Sequence, residues 1–368
     1  MLVESENAQH LDDSACLTGR VVAAQANYYR VQLDNLAEIP PDCANDGSLL
    51  CTRRSRLKKI DQQVMVGDRV QVEEPDWTGS RGAIAGVFPR KSELDRPSVA
   101  NVDRILLVFA FSEPNPDPYQ LSRFLIKAES TGLAVSLCFN KSDLVSVAEQ
   151  KQWRDRIHGW GYDLLPLSAR MGIGLGDLRS QLRQTIAAIA GPSGVGKSSL
   201  INLLIPNANL RVGAVSGKLQ RGRHTTRHVE LLELPDGGLL ADTPGFNQPD
   251  LACSPTELAT YFPEVRSRLA EEGCQFNDCL HRDEPNCVVR GDWERYEHYL
   301  KFLEEAIARQ ELRQQQPDAE SRLKQKTNTA GQRYYEPKLK TKKYRRQSRR
   351  SQHQALDALY QDADVADL

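Results

Sequence analysis

Nine consecutive residues carry the clearest chemistry in this chain. Gly191-Pro192-Ser193-Gly194-Val195-Gly196-Lys197-Ser198, with Ser199 behind it, fits the spacing G-x-x-x-x-G-K-[ST]. Glycines at those places let backbone N–H groups turn inward around phosphate oxygens at the start of a helix. Lys197 then supplies a point charge to the β- and γ-phosphates, and Ser198 a hydroxyl to Mg²⁺. Chance produces this spacing in about one chain in a hundred of this length. The apolar run before it and the helical spacing of Leu200, Ile201, Leu203 and Leu204 after it lower those odds further.

A second motif, Asn140-Lys141-Ser142-Asp143, stands about fifty residues earlier. Four residues with one free position are weak alone, but these follow an apolar strand, Ala134 to Phe139, and ligands bind beyond the carboxyl ends of strands in open parallel sheets. The Asp143 carboxylate can accept from both the ring N–H and the exocyclic amine of guanine, a pair adenine lacks. Ser168-Ala169 ends the next strand, where a backbone N–H can meet the guanine oxygen. The base expected is guanine. In an ordinary Ras-like GTPase the phosphate loop leads and the base-reading motif trails; here the order is swapped, as a circular permutation would leave it.

Asp242-Thr243-Pro244-Gly245 follows a short apolar stretch. The Asp242 carboxylate can hold Mg²⁺ through water and the Gly245 N–H can sense the γ-phosphate; the alternative is an ordinary Pro-Gly turn. Arg221 to Arg227 form a polar loop in which either Thr225 or Thr226 would complete the Mg²⁺ shell. Ras-type enzymes place a water-orienting glutamine after the Asp-x-x-Gly, but Phe246 occupies that slot and cannot do this. His224 is the nearest polar substitute, its imidazole able to hydrogen-bond or take a proton near neutral pH. Its other reading is a solvated or RNA-facing loop residue.

Cys274-x4-Cys279-x-His281-x5-Cys287 offers three thiolates and an imidazole, a closed set suited to one tetrahedral, structural Zn²⁺. Buried free cysteines are the alternative. Eight cysteines without an apolar leader read as reduced thiols or ligands rather than a disulfide framework.

The elements that must position these groups follow from periodicity. Residues 17–95 hold short alternating strands (Thr18 to Val22, Tyr28 to Leu33, Leu49 to Leu57, Asp68 to Val72) punctuated by glycine, suggesting a small barrel of OB type. Arg53, Arg54, Arg56, Lys58 and Lys59 fall on or beside one strand, as a nucleic-acid face or a charged, protected edge. Across 96–249 apolar strands alternate with helices, which calls for a parallel sheet covered on both faces. Past Asp250 no further strand is expected; 250–316 reads as a helical zinc-binding segment. Residues 1–16 and 317–368 read as flexible ends. The reversed motif order also feeds the 242–245 turn straight into the Cys/His segment, so hydrolysis is expected to move that segment against the barrel.

Of 368 residues, 40% are hydrophobic and 26% charged, ordinary for a globular protein. The net charge of −1 hides an asymmetry, because 321–350 carry twelve Lys/Arg against one acid. Tyr334, Tyr335 and Tyr344 interleave with that charge, which favours RNA by phosphate neutralisation and stacking. No apolar run reaches membrane-spanning length; with the cysteines read as reduced, the expected compartment is the cytoplasm, and the expected state is a monomer.

Taken in order, barrel, NKSD, SA, GPSGVGKSS, GRHTTR, DTPGF and C-x4-C-x-H-x-x-E-P-x-C resemble the ribosome small-subunit-dependent GTPase A (RsgA/YjeQ) family over roughly 17–310. The resemblance implies a multidomain α/β chain: an N-terminal OB-fold β-barrel, a circularly permuted Ras-like P-loop GTPase domain and a C-terminal helical zinc-binding domain. It also implies a cytoplasmic factor acting late in small-subunit maturation, whose GTP hydrolysis is stimulated by that subunit and its rRNA. The rival expectation is a nucleotide-gated RNA clamp for which hydrolysis is incidental, which Phe246 keeps open.

Overall fold

A computed structural model of the chain describes residues 17–35, 37, 40, 47–95, 98–206, 229–242, 250–315, 323–327 and 333–337. The chain divides into one compact unit ending at Ala306 and another beginning at Ile307.

The first unit opens with five strands, β1 (Leu17–Gln25), β2 (Tyr28–Leu33), β3 (Ser48–Arg53), β4 (Arg69–Asp76) and β5 (Arg81–Val87). They close into a barrel in the order β1-β2-β3-β5-β4. Alternation along each strand sends Val21, Val31, Leu49, Val70 and Ile84 into a common core. The run Leu49 to Leu57, expected as one strand, breaks at Arg53 and continues as a helical turn, α1 (Ser55–Lys59). Its physical reason is Leu57, which leaves strand register to join the barrel core. The basic face divides accordingly: Arg56, Lys58 and Lys59 lie on α1, while Arg54 is paired with Glu73 and Glu74 at 3.2 and 2.6 Å.

A hairpin of β6 (Glu93–Asp95) and β7 (Ser98–Ala100) leads out of the barrel, and Val99 forms a parallel bridge with Val66. The main sheet then comprises β8 (Arg104–Ala110), β9 (Ala134–Asn140), β10 (Leu164–Pro166), β11 (Ile186–Ala190), β12 (Leu231–Glu233) and β13 (Leu239–Asp242). Their order is β10-β9-β8-β11-β13-β12, parallel throughout except for the edge pair β12–β13. Central β8 is buried along Ile105 to Ala110, as a strand covered on both faces must be. Helices α2 (Pro118–Glu129) and α3 (Val147–Gly159) pack Phe124 and Ile157 into one core cluster. Helices α4 (Leu175–Leu182) and α5 (Lys197–Leu204) pack Leu178 and Leu200 into the other. The Asp117 side chain caps α2, and Ser146 with Glu149 forms a capping box on α3. The three-residue strand β12 was not foreseen.

Beyond β13 come α6 (Pro255–Leu258), α7 (Pro263–Glu271), the Cys/His loop and α8 (Tyr296–Gln315). This segment is clamped onto α2 and α3. Arg123 pairs with Glu305, Arg156 with Glu294, and Trp160 Nε1 donates to Glu294 at 2.8 Å. Fully buried Arg295 donates through Nε to Glu264 at 2.7 Å and lies 4.9 Å over both the Trp160 and Phe262 rings. Its Nη2 makes a second bond to the same carboxylate. Arg295→Ala is therefore expected to destabilise the protein by about 3–5 kcal/mol, because it leaves a largely buried carboxylate without its partner. Urea denaturation checks this; Arg295→Met combined with Glu264→Gln should recover most of the loss.

The second unit carries a hairpin, β14 (Leu323–Thr327) with β15 (Arg333–Pro337), in register Lys326↔Tyr334. It lies in the stretch expected to hold no strand. Among the described residues no helix is long and apolar enough to cross a membrane.

Candidate nucleotide site and metal centre

The phosphate loop follows β11 and enters α5, whose N-terminus at Gly196 has no side-chain cap. The glycines are forced by packing. Gly191 adopts φ +143°, and a Cβ there would sit 2.0 Å from the Val108 carbonyl oxygen on β8. At Gly196, φ is +95° and a Cβ would meet Asn140 Nδ2 at 2.4 Å. Pro192 and Val195 are buried, Ser193 and Gly194 exposed, and Ser198 and Ser199 half-buried on the first turn of α5. Lys197 Nζ donates to the carbonyls of Gly191 at 2.8 Å and Pro192 at 2.6 Å, which holds the ammonium inside the loop.

The base-reading motif lies at the carboxyl end of β9, two strands from β11. Buried Asn140 joins the three motifs. Its Nδ2 donates to the Val195 carbonyl at 2.9 Å, and its Oδ1 accepts from the Ala169 N–H at 2.9 Å. Lys141 turns through φ 62° and its Nζ donates to the Glu113 carbonyl. Ser142 is buried, its N–H donating to Leu167 at 2.9 Å. Asp143 accepts a hydrogen bond from the buried Ser168 hydroxyl, which also accepts from the Met171 N–H at 3.1 Å. The residues of all three motifs thus meet in one place. Two details escaped sequence reasoning: Asn140 works on backbone groups of both neighbouring loops, and Glu113 supplies a carbonyl to Lys141. A Pro-rich turn after β8, Glu113-Pro114-Asn115-Pro116, was the available signal.

Asp242 ends β13, its backbone beside Ile189 of β11, one residue short of the loop's strand end. His224, Thr225, Thr226 and Gly245 lie outside the described residues.

The metal centre is compact. Sγ of Cys274, Cys279 and Cys287 and a nitrogen of His281 all lie within 4.8 Å of one another. Cys274 and Cys287 sulfurs are 3.9 Å apart, and His281 Nδ1 lies 3.5 and 3.4 Å from them. A regular tetrahedron around zinc has edges of about 3.8 Å between sulfurs and about 3.5 Å from sulfur to nitrogen, given bonds near 2.3 and 2.0 Å. The set therefore fits a metal ion. Burial keeps the His281 imidazole below its usual range, in the neutral form a ligand needs. Burial also pushes the Cys279 thiol up to about 12, with Cys287 and Cys274 adding to it, and a bound cation would favour its thiolate form. Glu284 is held down to about 2: burial opposes the shift, but N–H donors of Leu280, Arg282 and Asp283 outweigh it. Its contribution to the loop is present above the ordinary glutamate range and is lost as pH falls toward 2.

A parallel sheet whose base-reading motif precedes its phosphate loop, set behind a five-stranded barrel, defines a circularly permuted GTPase. The RsgA GTPase family profile matches residues 87–252. A small ribosomal subunit biogenesis GTPase RsgA of Trichormus variabilis is 62% identical, the match covering 95% of this chain and 98% of that one. Among solved structures, YjeQ from Thermotoga maritima is similar with TM-score 0.66 and 32% identity, over 80% of this chain and 99% of that one. YloQ, described as a circularly permuted GTPase, gives TM-score 0.65 and 29% identity over 82% and 99%. The chain belongs to the RsgA GTPase family and is a GTP-hydrolysing enzyme.

Proposed function

We propose that this GTPase serves late maturation of the small ribosomal subunit, binding rRNA and hydrolysing GTP faster when the subunit is bound. The supporting observation is the Asn140 side chain, which ties the phosphate loop to both base-reading segments and so makes one cradle for triphosphate and purine. The small-subunit reading takes its substance from the name of the Trichormus relative. Asp143 selects guanine, with the Ala169 N–H toward the guanine oxygen and Lys141 flanking the ring. Residues Gly191 to Ser199 wrap the phosphates and Lys197 compensates charge on the β- and γ-groups. Ser198, Asp242 and one of Thr225 or Thr226 hold Mg²⁺, which when bound neutralises charge between those phosphates. The Gly245 N–H meets the γ-phosphate. His224 orients the attacking water that Phe246 cannot. Cys274, Cys279, His281 and Cys287 hold structural Zn²⁺, with no coordination position left for catalysis. The barrel and the basic C-terminal stretch contact RNA, and the protein works as a monomer in the cytoplasm.

Turnover measured with and without purified small subunits tests this reading. Strong stimulation of the wild type, lost in His224→Ala, is expected. Equal slow rates with and without subunits would favour the clamp instead, and an unaltered His224→Ala would remove that histidine from the mechanism.

A further inference from the structure

Barrel and nucleotide site share one row of backbone. Ala23 of β1 lies opposite Arg30 of β2, and on its other side forms an antiparallel bridge with Glu230, just ahead of β12. The β12–β13 ladder pairs Leu231 with Ala241. Extending that register by one pair sets Glu230 opposite Asp242, the last residue of β13. The row thus runs from Arg30 through Ala23 and Glu230 to the candidate Mg²⁺ aspartate. A side chain reinforces it, because the Arg30 guanidinium pairs with the Glu230 carboxylate. Along the chain, Glu230 stands four residues after Thr226.

Local geometry explains why β1 can serve two partners. The β1–β2 register slips between Val21 and Ala23, and such a bulge turns backbone groups out of the strand's own ladder. Val21 stays in the barrel core, whereas Val22 packs against the cluster of the main sheet that contains Val229 and Leu231, and Ala24 packs against both. By contrast, the metal-binding segment is fastened to α2 and α3 by several ion pairs and by buried Arg295 lying over Trp160 at the end of α3. The contact best placed to feel the phosphate end of the nucleotide and pass it to the barrel is therefore β12.

We propose that Glu230 is a positioning residue through which the barrel and the phosphate end of the nucleotide site sense each other. The proposal rests on the RNA-binding, subunit-stimulated reading given above. Coupling of this kind is reciprocal: if GTP raises affinity for the subunit, the subunit raises affinity for GTP by the same factor. Arg30 and Glu230 are both about half-exposed, at 47% and 48%, and exposed ion pairs contribute little to stability. Their removal should spare the fold and act on the coupling.

The test uses the full-length protein and purified small subunits, comparing subunit affinity with a GTP analogue and with GDP. In the wild type the GTP-analogue state should bind at least about fivefold more tightly, a typical coupling. Glu230→Lys should bring that ratio below about twofold, with the melting temperature nearly unchanged. The charge swap Arg30→Glu with Glu230→Arg should restore the ratio, which loss of a simple RNA contact at Arg30 would not allow. Residue pairs used only as glue would weaken both nucleotide states equally, and that result would overturn the proposal. An unchanged ratio in Glu230→Lys with stimulated turnover intact would overturn it while leaving the proposed function standing. A wild type with no stimulation and a ratio near one would overturn both.

Discussion

Lys197→Ala is expected to lower the rate of GTP hydrolysis by about 10²–10³-fold, the usual loss when one preorganised charge-stabilising group is removed. The structure says why this cation is hard to replace. Its Nζ is held by the Gly191 and Pro192 carbonyls inside the loop, so little reorganisation is needed when phosphate arrives. Without it, the loop offers N–H dipoles but no full charge against the β- and γ-phosphates. GTP affinity should fall more than GDP affinity, because GTP carries the additional phosphoryl group. Lys197→Arg should not rescue, since a planar fork cannot enter a loop shaped around a compact ammonium. Single-turnover hydrolysis and calorimetric titration with GDP and a GTP analogue check these outcomes. Wild-type turnover in Lys197→Ala would remove this loop from the chemistry.

The phosphate loop is legible in sequence because its glycines answer a local demand. Gly191 must pass within contact of β8, and no side chain fits there. The type of residue at Asn140 was equally legible, but its task was not. Its hydrogen-bond partners stand 55 and 29 residues away, and only folding brings them together. Alternation revealed the barrel strands, yet Leu57 satisfies both a strand and a helix pattern, so α1 was read as strand. Strand β12 is too short and too close to a polar loop to leave a period. The β14–β15 hairpin escaped because its residues are mostly Lys, Gln, Thr, Arg and Tyr, with almost no apolar alternation. Arg295 was invisible for another reason. Within Arg290 to His298 it reads as one more solvated charge, and its burial depends on Trp160, Tyr162 and Phe262, all distant in sequence.

That burial pattern also bears on how the GTPase and metal-binding parts depend on each other. The Cys/His segment leans on α2 and α3, which cover one face of the sheet. The phosphate-loop helix α5 packs on the opposite face. Damage to the metal centre is therefore expected to reach the nucleotide weakly across the sheet, whose central strand β8 is buried along Ile105 to Ala110.

Removing the metal should unfold the Cys/His segment while leaving nucleotide binding within about twofold, well under the 1.4 kcal/mol that separates tenfold affinities. Between Glu272 and Arg290 only His281 and Val289 are buried, so this loop has almost no apolar core of its own. What remains is a few hydrogen bonds: Tyr299 Oη to the Leu280 carbonyl at 2.6 Å, Tyr296 Oη to the His281 carbonyl at 2.9 Å, and the Glu284 turn. Each contributes about 0.5–1.5 kcal/mol, whereas a structural zinc supplies about 10–16 kcal/mol in comparable small modules. An ion held by these four ligands would thus serve as the core of this segment. Chelation, or Cys279→Ser, should expose 272–290 to protease and change the near-ultraviolet circular dichroism of Trp293, whose indole donates to the Val289 carbonyl at 2.9 Å. The same protein titrated with a GTP analogue should still bind. Protease resistance retained without metal would show that the loop holds itself together, and loss of nucleotide affinity in step with metal loss would show that the sheet transmits the damage after all.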